Sequence, residues 1–178
     1  MSTTISEGTI HVFTYKEGLL ARLAHDLRLT VKKFAMTVSG RSVTAVFDAR
    51  SLEVDGVVKG QRVDSRVLTN KDVRDIAKNI EDHVLLVRRH PEIKFEGRLV
   101  AAKNGELTVK GTLKLVGRAG PLQITLKPRG DRIEGHASVL QSRWGITPFS
   151  AMMGAIKIKN LVDVRLDLPR PPLPETEG

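Results

Sequence analysis

The sequence predicts an all-β protein, a single antiparallel eight-stranded barrel with one helical insertion at about residues 70-86. Most of the 178-residue chain alternates apolar and polar side chains with a period of two, which is typical of strands with one buried face. The connections between these runs are short, as antiparallel neighbours allow. One segment departs from the alternation and has a helical period instead.

The alternating runs account for about eight strands. Between Lys32 and Lys33 the phase of the alternation slips, which predicts a β-bulge or a sharp bend inside one long run. Asn104-Gly105 and residues 129–131 carry the residue types that tight hairpins need. The runs are residues 10–12, 27–38 with the slip inside it, 45–49, 93–99, 107–115, 122–126, 133–139 and 162–168, and Ile156 and Ile158 begin or precede the last one.

The helical insertion is predicted from apolar residues spaced three and four apart, which place them on one helical face. Asn70 is a candidate N-cap, Asp72 suits the first turn, and Pro91 helps to end the helix. We expect the helix to plug or flank one end of the barrel. The apolar residues on the shared face are Val73, Ile76, Ala77, Ile80 and Val84.

One domain is predicted over residues 1–168, followed by a proline-rich, disordered tail at residues 169–178. The chain has no cysteine, which excludes disulfides, thiolate metal sites and cysteine nucleophiles. Its first residues lack the pattern of a secretory signal, and no window approaches the ~20 apolar residues of a transmembrane helix. A cytoplasmic location is therefore expected.

The apolar face of such a sheet must be covered, either by closure into a barrel or by stacking as a sandwich. About eight strands is the size at which a closed barrel can hold one small ligand. Small residues at Gly97, Gly111, Gly135 and Ala137 interrupt the apolar face, as happens where a strand bends or a ligand approaches. Residues 144–155 are rich in large, soft side chains, which line adaptable apolar sites.

Five pieces of the sequence, in order, resemble the YceI-like family of lipocalin-like, polyisoprenoid-binding proteins. The pieces are AHDLRLTV at residues 24–31, HPEIKFEG at 90–97, VKGTLKLVG at 109–117, SRWGI at 142–146 and VDVRLDL at 162–168. The resemblance implies a lipocalin-like eight-stranded barrel with a helical insertion. It also implies a carrier or store of a long isoprenoid chain in an apolar tunnel, and a homodimer as the form in which members often occur.

The predicted function is to bind and carry or store a long apolar lipid of the isoprenoid type inside the barrel, without catalysis. Burial of one isoprene unit contributes roughly 4 kcal/mol gross, at ~0.8 kcal/mol per methylene. The Trp144 N–H is a candidate donor to a polar head group. The candidate apolar lining is Leu29, Phe34, Met36, Phe47, Phe95, Val109, Leu113, Ile124, Val139, Trp144, Phe149, Met152 and Met153.

No catalytic residue, metal site or cofactor is predicted. The five histidines form none of the spacings that metal ligands adopt on one helix or strand. His25 and Asp26 are neighbours in a strand and point to opposite faces, so they cannot pair directly. His25 is a candidate contact for a ligand head group, and in the alternative hypothesis of an enzyme it is the acid or base.

The net charge of +9 leaves a third hypothesis open, a basic protein that binds an anionic partner. The basic residues of the strands lie on their polar, outward faces, where they increase solubility or attract anionic lipid head groups at ~1 kcal/mol each. Aromatic residues are only 4% of the chain, which argues against a groove for single-stranded nucleic acid. Peripheral contact with an anionic membrane is the favoured form of this hypothesis.

Overall fold

The computed structural model describes residues 1–174, which are mostly β-structure with one short helix. The helix is α1 (Asn70–Asn79). The strands are β1 (Ser2–Ile5), β2 (Thr9–Thr14), β3 (Lys16–Glu17), β4 (Leu27–Val31), β5 (Phe34–Ser39), β6 (Ser42–Asp48), β7 (Leu52–Lys59), β8 (Arg62–Asp64), β9 (Glu92–Lys103), β10 (Glu106–Leu115), β11 (Arg118–Arg129), β12 (Arg132–Leu140), β13 (Ser150–Ala151), β14 (Ile156–Ile158) and β15 (Leu161–Pro169). The predicted all-β class with a helical insertion is confirmed.

Twelve strands form one antiparallel sheet in the order β1-β5-β6-β9-β10-β11-β12-β15-β2-β4-β7-β8. The predicted turns are confirmed at both hairpins, because Asn104-Gly105 joins β9 to β10 and residues 130–131 join β11 to β12. Asn104 and Gly105 both have positive φ, 54° and 76°, as a tight hairpin turn requires. A separate three-stranded sheet, β13-β14-β3, lies beside the ends of β2 and β15.

A sharp bend lies where the alternation slips. β4 passes into β5 across Lys32 and Lys33 alone, and β6 passes into β7 through a short 3₁₀ turn at Ala49–Ser51. Beyond the bend, β5 pairs with β6, and before it β4 pairs with β7. These two pairs lie near opposite ends of the strand order. At the bend, the N–H of Lys32 donates to the carbonyl of Ser51 at 3.1 Å, and that of Asp48 donates to Lys33 at 3.0 Å.

The predicted eight-stranded closed barrel is wrong in strand number and closure. The hydrogen-bonded ladder has two ends, β1 and β8, and the sheet curls into a half-barrel. The bend divides each of two long runs into two strands, and β1 and β8 add short strands at the edges. The inward side chains of the curled sheet form a continuous apolar core.

The N-cap of the helical insertion lies one residue earlier than predicted. Thr69, and not Asn70, is the N-cap: its side chain accepts from the Asp72 N–H at 3.1 Å, and the Asp72 carboxylate accepts from the Thr69 N–H at 2.9 Å. These hydrogen bonds hold the pKa of Asp72 below its usual value. After Asn79 the segment Ile80–Val84 continues as a π-helical turn. Across residues 1–174, no helix combines the length and the apolar composition that crossing a bilayer requires.

The start of the C-terminal tail belongs to the fold, in contrast to the predicted disorder from residue 169. Pro169 ends β15, and the N–H of Arg170 donates to the carbonyl of Asp131 at 2.8 Å. Pro171 is buried and Leu173 packs against the core, because these apolar side chains cover the inner face of the sheet. Residues 175–178 of the predicted tail lie outside the described residues.

Candidate ligand-binding cavity

The curled sheet surrounds a cavity of about 260 Å³. Its wall consists almost entirely of apolar side chains from the sheet, from the helical insertion and from the C-terminal segment. Binding pockets for small molecules commonly measure about 300–1,000 Å³, so this cavity lies just below that range. At roughly 30 Å³ per small group, it holds about nine non-hydrogen atoms, close to two isoprene units.

Eight of the residues predicted to line the cavity do so. They all lie on strands, and their inward direction follows from the alternation along β4, β5, β6, β9, β10, β11 and β12. Because successive side chains of a strand point to opposite faces, the phase of each run was sufficient to find them. These residues are Leu29, Met36, Phe47, Phe95, Val109, Leu113, Ile124 and Val139.

The other five predicted lining residues lie elsewhere. Phe34 is buried beside the bend, 6.4 Å from Phe47 between ring centroids, and it does not contribute to the cavity wall. Phe149, Met152 and Met153 are exposed to solvent on and after the loop that follows Trp144. The physical reason is that loop residues carry no alternation, so their apolar character did not indicate their direction.

Trp144 fills the core behind the cavity wall. Its indole N–H donates a 2.8 Å hydrogen bond to the main-chain carbonyl of Leu113, so it is not free for the predicted contact with a head group. The ring lies against Gly120 of β11, where an added Cβ would approach the ring at 3.1 Å. The missing side chain at Gly120 therefore allows the indole to cross β11 and reach β10.

Gly97 and Gly111 make room for an aromatic ring. The two glycines face each other on β9 and β10, and an added Cβ at Gly97 would meet the Phe95 ring at 2.6 Å. A Cβ at Gly111 would meet the same ring at 2.7 Å. Phe95 thus covers the glycine pair and forms part of the cavity wall, so the small residues in this place accommodate the protein's own side chain.

Two uncharged polar side chains that sequence analysis missed lie in the wall, which also includes the charged Arg41 and Asp48. The Thr14 hydroxyl is buried and has no hydrogen-bond partner among the described residues. Gln141 is 8% exposed, and its side-chain amide donates to the carbonyl of Lys159 at 3.0 Å. Thr14 continues the inward phase of Ile10 and Val12, and Gln141 continues that of Val139, so the alternation contains a signal for both.

The helical insertion and the C-terminal segment contribute further lining that the sequence analysis did not assign. Ile80 and Val84, on the predicted apolar face of the helix, reach the cavity together with Leu85. Pro171 and Leu173 line it from the C-terminal side. Gly40 and Arg41, in the turn between β5 and β6, also border it.

His25 lies outside the cavity. It is exposed just before β4, and its neighbour Asp26 accepts a 2.8 Å hydrogen bond from the main-chain N–H of Lys16. The Asp26 carboxylate is thus bound to the main chain of Lys16 and not to His25, as expected for neighbours in an extended chain. Within residues 1–174, no group of three His, Asp or Glu side chains is arranged to hold a metal ion.

A polar network on the outer face supports the cavity wall between β12, β15 and β2. Asp163 accepts hydrogen bonds from the Tyr15 hydroxyl at 2.7 Å and from the Ser138 hydroxyl at 2.9 Å, and His136 Nε2 lies 3.0 Å away. Burial opposes ionisation of Asp163, but these hydrogen bonds outweigh it and lower its pKa. Burial and the bond to Asp163 raise the pKa of Tyr15 to about 12.

The fold and the cavity define a class of protein: an all-β chain whose antiparallel sheet curls around an apolar cavity, as in lipocalin-like proteins. The sequence profile of the YceI-like domain matches residues 5–169. The chain therefore belongs to the YceI-like family. No curated protein sequence matches it significantly.

Solved structures share this fold at low sequence identity. BcnA of Burkholderia cenocepacia aligns with a TM-score of 0.65 and 12% identity, over 92% of this chain and 96% of BcnA. A polyisoprenoid-binding domain from Saccharophagus degradans, implicated in plant cell wall breakdown, aligns with a TM-score of 0.61 and 11% identity, over 96% of this chain and 100% of the domain. A YceI protein of Campylobacter jejuni aligns with a TM-score of 0.53 and 10% identity, over 81% of this chain and 85% of that one.

Proposed function

We propose that this protein binds the apolar chain of an isoprenoid-type lipid in its cavity and carries or stores it without changing it chemically. The observation that supports this most is the composition of the wall, which is apolar except at Thr14, Arg41, Asp48 and Gln141. The family and the polyisoprenoid-binding domain with the same fold support the ligand class. His25, the candidate acid or base of the alternative enzyme hypothesis, lies outside the cavity.

The volume of the cavity sets an expectation for chain length. Burial of the roughly nine carbons that fit contributes about 7 kcal/mol gross, at ~0.8 kcal/mol per methylene. Association costs about 4–15 kcal/mol, so a chain that short binds weakly. A longer chain binds tightly where further units remain in contact with apolar side chains at the ends of the cavity. Affinity should therefore rise from geraniol to farnesol to geranylgeraniol.

Thr14 is the proposed contact for an oxygen atom of the ligand. A buried hydroxyl without a partner destabilises the empty protein by about 1–3 kcal/mol, and a ligand hydroxyl or carbonyl would relieve this. The homodimer implied by the family resemblance stays a separate prediction.

The test is calorimetry of the binding of the three prenols to the full-length protein. Native mass spectrometry of freshly purified protein detects any lipid that co-purifies. Ala137, a buried residue of the wall, is replaced in Ala137→Phe to fill the cavity. Ala35→Phe places the same ring on the exposed face of β5 and is the matched control. Ile124→Phe is a second filling variant in case Ala137→Phe folds poorly.

We expect Ala137→Phe and Ile124→Phe to lose prenol binding while Ala35→Phe retains it. Circular dichroism establishes that each variant is folded. The proposal is overturned if no lipid co-purifies and no prenol binds to the parent protein, or if the folded filling variants bind geranylgeraniol as the parent does.

A further inference from the structure

Four of the most exposed apolar side chains lie on two neighbouring loops. Leu19 and Met153 are 95% and 107% exposed, and Leu23 and Met152 are 59% and 60% exposed. Leu19 and Leu23 lie in the loop between β3 and β4, and the two methionines lie in the turn between β13 and β14. We call these four residues the apolar tip.

The two loops form one structural unit. The N–H of Leu20 donates to the carbonyl of Ala155 at 2.9 Å, which joins the first loop to the second. Gly18, with φ of 101°, lies so close to Ala155 that a Cβ would fall 2.5 Å from its carbonyl oxygen. β3 and β14 pair directly beside these contacts, with Glu17 opposite Lys157. The apolar tip is therefore carried by a single small sheet and its turns.

The turn that exposes the methionines has an uncommon backbone. Met152 and Met153 have φ of 50° and 56°, in the left-handed region that bulky residues rarely adopt. Strain of this kind persists only where the surrounding structure imposes it, and it is concentrated at functional segments. Here it coincides with two long, flexible apolar side chains that face solvent.

Cations accompany the apolar tip. Residues 141–160 include Arg143, Lys157 and Lys159 and no acidic residue, and Arg22 lies between Leu19 and Leu23. All four cationic side chains are exposed. In the described part of the chain, none of the four forms an ion pair with a carboxylate. Residues 16–26 are neutral overall, because Lys16 and Arg22 balance Glu17 and Asp26.

We infer that the apolar tip docks on an anionic membrane surface, with its four apolar side chains in the boundary between head groups and acyl chains and the cations among the head groups. This combination of exposed apolar and basic groups is what interfacial binding requires. A stable protein–protein interface takes about 20–30 residues a side, far more than these two loops offer. A lipid surface also needs no fixed shape in its partner, which suits flexible methionines.

Docking at this place would bring one end of the cavity to the membrane. Lys16 of the small sheet follows Thr14 of the cavity wall by two residues, and Gln141 of the wall is hydrogen-bonded to Lys159 beside β14. Transfer of a lipid between bilayer and cavity rests on the proposed function. Docking itself does not, because it involves side chains outside the cavity.

The test is co-sedimentation of the full-length protein with vesicles of phosphatidylcholine alone and of phosphatidylcholine mixed with phosphatidylglycerol. The double variant Leu19→Ser/Met153→Ser removes half of the tip, and Lys157→Glu reverses one of its cations. The matched controls are Val46→Ser/Val100→Ser and Lys127→Glu, which make the same kinds of change at exposed positions of the large sheet.

We expect the parent to bind the mixed vesicles and to bind phosphatidylcholine vesicles much less. The double tip variant should bind at least about tenfold more weakly, because two apolar side chains that transfer from water into the membrane in the parent are absent. Lys157→Glu should lose about tenfold, and each control should lose clearly less than its tip counterpart. The inference is overturned if the parent does not bind mixed vesicles, if the controls lose as much as the tip variants, or if the tip instead mediates self-association in sedimentation without vesicles.

Prenol binding, measured on the same variants by calorimetry, separates the two proposals. If the tip variants bind prenols normally and also bind mixed vesicles as tightly as the parent does, the docking inference alone is overturned. A parent protein that docks on vesicles but binds no prenol would overturn the proposed function alone.

Discussion

The indole N–H of Trp144 donates to the main-chain carbonyl of Leu113 at 2.8 Å, across a strand that carries glycine at the crossing point. This contact joins the segment after β12 to β10, two strands away in the sheet. Trp144 is the single tryptophan of the chain and is 1% exposed. It therefore anchors the loop that begins at the cavity and leads to the apolar tip.

Replacement of this anchor should destabilise the fold without preventing prenol binding. Trp144→Phe leaves the buried carbonyl of Leu113 without the indole donor and a gap beside Gly120, so we expect a loss of about 1–3 kcal/mol. Urea unfolding followed by circular dichroism measures it. Arg143→Ala, at the exposed neighbouring position, is the control and should change stability by less than about 0.5 kcal/mol. A complete loss of prenol binding in folded Trp144→Phe would contradict the position of Trp144 outside the cavity wall.

Thr14→Val should stabilise the empty protein. Valine has nearly the same shape and removes a buried hydroxyl that lacks a partner among the described residues, so we expect a gain of about 1 kcal/mol, or roughly 2–4 °C in melting temperature. Thr30→Val is the control, because the Thr30 hydroxyl donates to Asp55 and its removal should destabilise. A destabilised Thr14→Val would mean that the hydroxyl is satisfied in the empty protein.

The alkaline stability of the protein should depend on Tyr15. Burial and the hydrogen bond to Asp163 raise the pKa of Tyr15 to about 12 from a usual value of 10.0. The unfolded chain therefore loses the phenol proton at lower pH than the folded protein. The stabilisation is fully present below pH 10 and is lost as pH rises towards 12.

Tyr15 is the only tyrosine of the chain, so the ultraviolet absorbance of its phenolate reports this titration directly. Asp163→Asn removes the charged acceptor and should move the titration back towards the ordinary pKa of tyrosine. Tyr15→Phe should lose the contribution of the phenol to the pH dependence of unfolding in this range. An unshifted titration in the folded parent would contradict the partly buried hydrogen bond between Tyr15 and Asp163.

Leu173 should restrict access to the cavity from the C-terminal side. It lines the cavity and packs on the core, so Leu173→Ser should lower stability by about 1 kcal/mol and speed the dissociation of a bound prenol. Stopped-flow displacement of a fluorescent prenol measures the rate. Pro172→Ser, at an exposed neighbouring position, should leave the rate unchanged. Equal rates in the parent and both variants would show that the ligand does not pass Leu173.

Much of the cavity wall was predictable because a strand has a strict period of two. Val109 and Leu113 share an inward phase on β10, and the same reasoning found one lining residue on each of β9, β11 and β12, although others of the same phase also line the cavity. Thr14 carries the same signal, because it continues the phase of Ile10 and Val12, but its polar side chain is not typical of an apolar wall. The helical period likewise predicted the face of the insertion that carries Ile80 and Val84.

The sequence by itself determined the class of fold, the strand faces, the tight turns and the family, because each follows from local patterns along the chain. The tertiary structure alone decided that the sheet stays open at β1 and β8, that Trp144 donates to Leu113, and that Met152 and Met153 face solvent while Leu173 does not. These outcomes depend on contacts between residues far apart in sequence. Neither the alternation within a strand nor the composition of a loop contains the register and direction that such contacts impose.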